Sequence, residues 1–150
     1  MSAYRITRQY PYPIDEVWHV LTDPDLVARW TTTGRGGRPE DFAPQVGRRF
    51  RLVGKPTVGW AGVVWCEVVE VDAPHLLRYT WRGDEASRAV TEVRYRLETV
   101  GNGTRFTWEH TGFAGPGGFL MSRLLGRVRR RMLTVGVPPV LAEHHAARTA

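Results

Sequence analysis

This chain of 150 residues has little cysteine, almost no lysine and no long apolar run. A single thiol, Cys66, excludes an internal disulfide, and its place inside a strand pattern reads as a small buried hydrophobe, not a reactive nucleophile. The longest apolar runs fall far short of the roughly 20 residues that span a bilayer. Met1 to Tyr10 also lacks the apolar stretch of a signal peptide, so the expectation is a soluble, cytoplasmic, single-domain protein over residues 1–150. No Gly-x-Ser-x-Gly elbow occurs, and no Lys-Ser/Thr follows Gly34-Arg-Gly-Gly-Arg38, which reads as a flexible loop and not as a phosphate cradle. His144-His145 after Glu143 invites a metal reading. Consecutive helical positions diverge by about 100°, however, and no further ligand stands at a completing spacing, so neither metal nor cofactor is expected.

The chain does carry a net charge of +6, almost wholly from arginine, with Lys55 the one lysine. Arg5, Arg8, Arg48, Arg49, Arg51, Arg78, Arg94 and Arg105 are scattered over strands, which predicts a solvated face and argues against a nucleic-acid surface. The helix from Phe119 to Val135, apolar on one side and basic on the other, has the form of a membrane-surface helix. Packing against a sheet requires the same pattern, so no membrane partner is expected.

Tyr4, Ile6 and Tyr10 alternate with polar residues as in a half-buried strand. Ile14, Val17, Trp18 and Leu21 recur at helical spacing behind Pro13, with Asp15 and Glu16 suited to the first turn. Thr22-Asp23-Pro24 ends that helix and caps a second one reaching Trp30, and Thr31 to Pro44 reads as a mobile loop. Phe50 and Leu52 open a period of two, Gly54 to Gly59 is a turn, and Trp60 to Asp72 is a long strand. The apolar run Gly62-Val-Val-Trp-Cys66 leaves the inward face of that strand unassigned. Leu77, Tyr79 and Trp81, then Val93, Tyr95 and Leu97, then Phe106, Trp108 and His110 form further strands, the last two joined at Gly101-Asn102-Gly103. A final helix from about Pro116 shows Phe119, Leu120, Leu124, Val128, Met132 and Val135 as one stripe opposite Arg123, Arg127, Arg130 and Arg131. Gly136 and Pro138-Pro139 are expected to break it, with a short helix resuming over Val140 to His145.

If the alternation holds, Tyr79, Trp81, Tyr95, Phe106, Trp108 and His110 share the concave face and line an aromatic hollow. Large aromatics also fill cores, here against Leu124 and Val128. Trp30, Phe50, Trp65, Phe119, Leu124 and Val128 complete the candidate ligand-binding set. His110 and Tyr95 are the weak catalytic candidates, since an inward His or Tyr can move a proton. Arg94 is expected to face solvent, and Glu109 points away from His110.

Four segments carry a family resemblance: Pro13-Ile-Asp-Glu-Val-Trp-His-Val-Leu-Thr-Asp-Pro24 through Trp30, Val68-Val-Glu-Val-Asp-Ala-Pro74, Leu77-Arg-Tyr-Thr-Trp81, and Gly103-Thr-Arg-Phe-Thr-Trp-Glu-His-Thr-Gly-Phe113. In this order they resemble the START-like (SRPBCC, Bet v 1-like) superfamily, and within it the branch named after the C-terminal domain of the Hsp90 ATPase activator. The resemblance implies an α+β helix-grip fold, with an antiparallel sheet of about six strands curved around a long C-terminal helix. Two short helices follow the first strand, and an apolar cavity lies inside. It also implies binding or sequestration of a small hydrophobic ligand in that cavity. A polyketide cyclase or aromatase, and a co-chaperone-type module with a protein partner, are the alternatives. The stretch Glu109-His-Thr-Gly-Phe113 to Gly118 resembles START-like proteins of antibiotic producers that sequester, or sacrifice themselves to, enediynes.

Overall fold

The computed structural model describes residues 1–32, 37–56, 62–83 and 89–150. Strand β1 (Ser2–Tyr10) leads into helices α1 (Ile14–Thr22) and α2 (Pro24–Thr31). Six strands follow: β2 (Arg38–Glu40), β3 (Arg49–Val53), β4 (Val63–Asp72), β5 (Leu76–Arg82), β6 (Thr91–Val100) and β7 (Gly103–Phe113). Helix α3 (Gly115–Arg131), a π-helical turn (Met132–Gly136) and helix α4 (Val137–Thr149) complete the chain. All seven strands form one antiparallel sheet in the order β1-β7-β6-β5-β4-β3-β2, curved in the helix-grip manner.

Local chemistry accounts for most boundaries. The Asp23 carboxylate accepts from the backbone N–H groups of Asp25 and Leu26, at 3.0 and 3.3 Å, and Pro24 occupies the first turn of α2, where its missing donor costs nothing. Gly101, with φ near +59°, and Asn102 close the β6–β7 hairpin. Along β6, Val93, Tyr95 and Leu97 are buried while Arg96 and Glu98 are exposed, as period two requires. The outer face is laced with ion pairs, including Arg78 to Glu70 and Glu92 at 3.0 and 2.9 Å. Each such exposed pair contributes about 0–1 kcal/mol, so these arginines chiefly keep the face solvated. Arg94 belongs to this face, beside Glu92.

Three local expectations need correction. The segment read as a loop from Thr31 to Pro44 contains β2, three residues paired to β3, too short to leave a periodic signal; positions 33–36 lie outside the described residues. In β4, Val64, Cys66 and Val68 face inward, so Trp65 faces outward, with the Arg51 guanidinium 5.8 Å from its ring. The irregularity in this strand falls between Val68 and Glu70, where the register with β5 shifts. The proposed start of β4 at Trp60 and most of the Gly54 to Gly59 turn lie outside the described residues.

The largest correction concerns the C-terminal helix. Its backbone does not break at Gly136 or the two prolines, because residues 132–136 make a π-helical turn and the chain stays helical to Thr149. The Val137 N–H reaches back to the Met132 carbonyl, so the next carbonyl, Leu133, would be matched with position 138, a proline with no N–H. The buried Tyr10 hydroxyl supplies the missing donor, at 2.6 Å from the Leu133 oxygen. Helix α3 also presents a different face from the one its apolar stripe predicts. Ser122, Gly126 and Arg129 are buried against the sheet, while Phe119 and Leu124 are 53% and 50% exposed. Gly126 explains the contact: the Tyr4 ring already lies 3.4 Å from where its Cβ would stand, so a small residue lets α3 settle onto β1.

Tyr10→Phe is expected to destabilise the fold by about 1–3 kcal/mol, the cost of leaving a buried carbonyl without a donor. Urea unfolding of the two proteins checks this, and an unchanged midpoint would contradict the role given to the Tyr10 hydroxyl.

Candidate binding site beneath the C-terminal helix

The sheet register assembles the concave face in rows. Tyr79, Val93, His110 and Tyr4 stand opposite one another across β5, β6, β7 and β1, and Leu77, Tyr95, Trp108 and Ile6 form the next row. The result is a continuous aromatic floor. Phe42 meets Phe50 at 4.9 Å between centroids, Phe50 meets Tyr79 at 5.1 Å, Tyr79 meets Tyr95 at 6.0 Å and Tyr95 meets Trp108 at 4.8 Å. These spacings suit edge-to-face and tilted pairs, each worth about 0.5–1.5 kcal/mol beyond simple burial.

Over this floor α3 places an arginine. Arg129 is only 7% exposed, and its guanidinium carbon lies 4.5 Å from the centre of the Trp108 ring. One terminal nitrogen donates to the Met132 sulfur at 3.0 Å, a weak acceptor. The Nε atom is buried without a partner, and among the described residues no carboxylate lies within ion-pair distance of the side chain. Burial works against the Arg129 charge and the phenols of Tyr4, Tyr79 and Tyr95 favour it, with a net rise in pKa, so it stays protonated. Burial likewise raises all three phenols above the usual tyrosine range and pushes the Cys66 thiol up, leaving these groups protonated at neutral pH. An unpaired charge in such a place costs several kcal/mol. The contact with Trp108 returns only about 0.5–2 kcal/mol of that.

Between Arg129 and the floor is a hollow of about 20 Å³, bordered by Thr31, Phe42, Phe50, Tyr79, Tyr95 and Trp108. It is large enough for roughly one water molecule. The rings therefore pack on one another, and the interior is far smaller than the ligand-sized cavity expected from the sequence. The Thr31 hydroxyl is a second buried polar atom here without a partner among the described residues. A larger hollow, about 580 Å³, is an open groove on the outer side of β3–β5, where Trp65 lies among Arg49, Arg51 and Glu67. Its charges are already matched, as in the Arg49–Glu67 pair at 3.0 Å, and it lacks the enclosure of a small-molecule site.

The candidate residues thus divide. Phe50, Tyr79, Tyr95 and Trp108 meet around the hollow. Trp30 is fully buried between α1 and α2, its indole N–H donating to the Val20 carbonyl at 2.9 Å, so it is core and does not border the hollow. Trp81 lies on the inner face beside His110, with its indole nitrogen buried and unpartnered. Val128 is half-buried against the core. Trp65, Phe119 and Leu124 point away from the interior, for the reasons given above. Arg129 is the residue that sequence reasoning missed. Its signal lay in spacing: a glycine in mid-helix marks a close approach, and Ser122, Gly126, Arg129 and Leu133 follow from it at helical intervals.

His110 is fully committed. The Tyr4 hydroxyl lies 3.2 Å from Nδ1, the Thr91 hydroxyl lies 2.7 Å from Nε2, and Thr91 in turn reaches the Trp81 carbonyl at 3.2 Å. The proton arrangement that satisfies every group has Tyr4 donating to Nδ1, Nε2–H donating to Thr91, and Thr91 donating to the carbonyl. Burial, reinforced by the Arg129 charge, lowers the His110 pKa to about 3, so the ring is neutral. His144 and His145 serve the outside of the fold: His144 packs on His19 at 4.9 Å, and His145 Nδ1 meets the buried Glu16 at 2.8 Å.

The fold and this interior define a helix-grip protein, a sheet closed over by its C-terminal helix. A family model described as activator of Hsp90 ATPase homolog 1-like protein matches residues 11–128, and the chain belongs to that family. Among solved structures, protein MLL2253 of Mesorhizobium loti is similar at 25% identity and a TM-score of 0.78, with 95% of this chain and 98% of that one covered. CalU16 of Micromonospora echinospora is similar at 22% identity and 0.68, covering 97% and 84%. An HSP90 activator of Plasmodium falciparum is similar at 20% identity and 0.66, covering 88% and 91%. The latter two likenesses speak to fold alone. Comparison with curated protein sequences gives no match.

The His110 pKa has a consequence for stability. An unfolded His110 takes up a proton near pH 6.5, whereas the folded one does so only near pH 3. Its contribution is therefore present above pH 6.5 and is lost progressively as the pH falls toward 3. In His110→Gln the decline of Tm between pH 6.5 and 5 is expected to be shallower than in the parent. Protonation of the folded His110 ring near pH 6 in an NMR titration would contradict this account.

Proposed function

We propose that this protein binds a small hydrophobic molecule between the sheet and α3, as a carrier or sequestering protein. The observation that carries this reading is the aromatic floor from Phe42 to Trp108, facing buried polar atoms of Thr31 and Arg129 that have no hydrogen-bond partner among the described residues. An apolar surface with a few convergent polar groups is how ligand orientation is fixed. A ligand larger than water must displace part of the cover. Thr31, Pro39 and Phe42 border the hollow on the side of the α2 end and the three-residue β2.

A cyclase-type activity has less support, because proton transfer near neutral pH needs an available base. Both nitrogens of His110 are engaged, and burial holds the Tyr95 phenol in its protonated form. A protein-interaction role has one specific observation in its favour: Phe119, Leu120, Met121 and Leu124 form an exposed apolar face on α3, next to exposed arginines.

Thermal shift and tryptophan fluorescence against aromatic polyketides, enediyne-like compounds, flavonoids and fatty acids test the binding reading. Trp108 lies in the floor, so saturable quenching with a rise in Tm is expected for one chemical class. A folded sample free of co-purified ligand that responds to none of them would overturn this reading in favour of a protein partner on α3.

A further inference from the structure

The polar groups around the hollow are one donor-only cation and three hydroxyls. Arg129 offers an unpartnered Nε–H, Thr31 a buried hydroxyl without a partner, and Tyr79 and Tyr95 phenols that stay protonated. No carboxylate among the described residues answers the guanidinium, whose neighbouring acceptors are the Met132 thioether and the Tyr4 hydroxyl. The guanidinium carbon lies 4.5 Å from the centre of the Trp108 ring, which restricts how the group can turn.

We propose that Arg129 is the recognition point for a carboxylate, and that the bound molecule is an organic acid whose apolar body lies on the floor of Trp108, Tyr95 and Tyr79. This rests on the binding reading above. A planar carboxylate accepts N–H donors from a guanidinium edge and has room left for one hydroxyl. A phosphate monoester brings a second negative charge that one guanidinium does not balance, and a neutral apolar ligand leaves Nε as unsatisfied as it is now. Arg129, the one buried cation among the described residues, therefore suits a single negative charge. The retained arginine is explained as well: replaced by a hydrophobe it would cost the free protein nothing, but the ligand's charge would then lack a partner.

The test uses the whole chain and two matched pairs of probes: naphthalene-2-carboxylate with 2-naphthamide, and dodecanoate with dodecanamide below its aggregation limit. Dissociation constants come from tryptophan fluorescence. The acid is expected to bind at least about tenfold more tightly than its amide in one pair, since the charged acceptor makes the stronger hydrogen bonds; which pair does so distinguishes an aromatic from an aliphatic body. In Arg129→Gln the acid and amide should converge, and Arg129→Met should melt no lower than the parent. Equal binding of acid and amide by the parent would overturn the carboxylate assignment while leaving the binding reading intact. Failure of all four probes would overturn it too, with the broader ligand panel deciding the parent reading. An Arg129→Met protein that melts well below the parent yet still prefers the acid would make Arg129 a structural residue, and the parent comparison stands whether or not either variant folds.

Discussion

The close approach of α3 to β1, which seats Arg129 over Trp108, is the constraint on which the interior depends. For the guanidinium to lie 4.5 Å from that ring, α3 must come down onto β1 and β7, and a helix face of small residues allows this. Ser122 and Gly126 provide that face, with Gly126 in contact with the Tyr4 ring. Once the helix phase is set this way, the apolar residues Phe119, Leu120 and Leu124 have to point outward. The exposed apolar face and the buried cation are therefore two consequences of one packing choice.

The same choice governs what lies further along the chain. Past Arg129 the helix must continue into the core with Met132, Leu133 and Val137, all buried, although two prolines follow. A π-helical turn reconciles the two demands, and the carbonyl it leaves free at Leu133 is met by Tyr10 from β1. Tyr4 and Tyr10, on one strand, thus secure the helix on either side of Arg129. His110 is held in the same neighbourhood as a neutral ring between Tyr4 and Thr91, which keeps a second positive charge away from Arg129.

Features governed by neighbouring residues were legible in the sequence. The Asp23-Pro24 cap, the Gly101-Asn102 hairpin and the alternation of β5 to β7 depend on local chemistry, and the aromatic concave face followed from them. Features set by long-range packing were not. The α3 stripe has the periodicity of a buried face, but the contact with Tyr4 selects the small-residue face instead. Trp65 sits in a run of apolar residues with no polar alternation to show its side, and β2 is too short to show a period. Pro138-Pro139 reads locally as a break because the π-helical turn that accommodates it is a response to tertiary burial. Arg129 stood among exposed arginines, and only its phase relative to Gly126 set it apart.

The most direct test of this account is a side-chain ¹H–¹⁵N NMR spectrum of the ligand-free protein, with Arg129 assigned through its loss in Arg129→Lys. A buried guanidinium over an indole face should give an Nε–H signal that is protected from exchange with water and displaced upfield by the Trp108 ring. A fast-exchanging signal at the position of exposed arginines would mean that α3 turns its apolar stripe inward after all, and the site described beneath it would not exist.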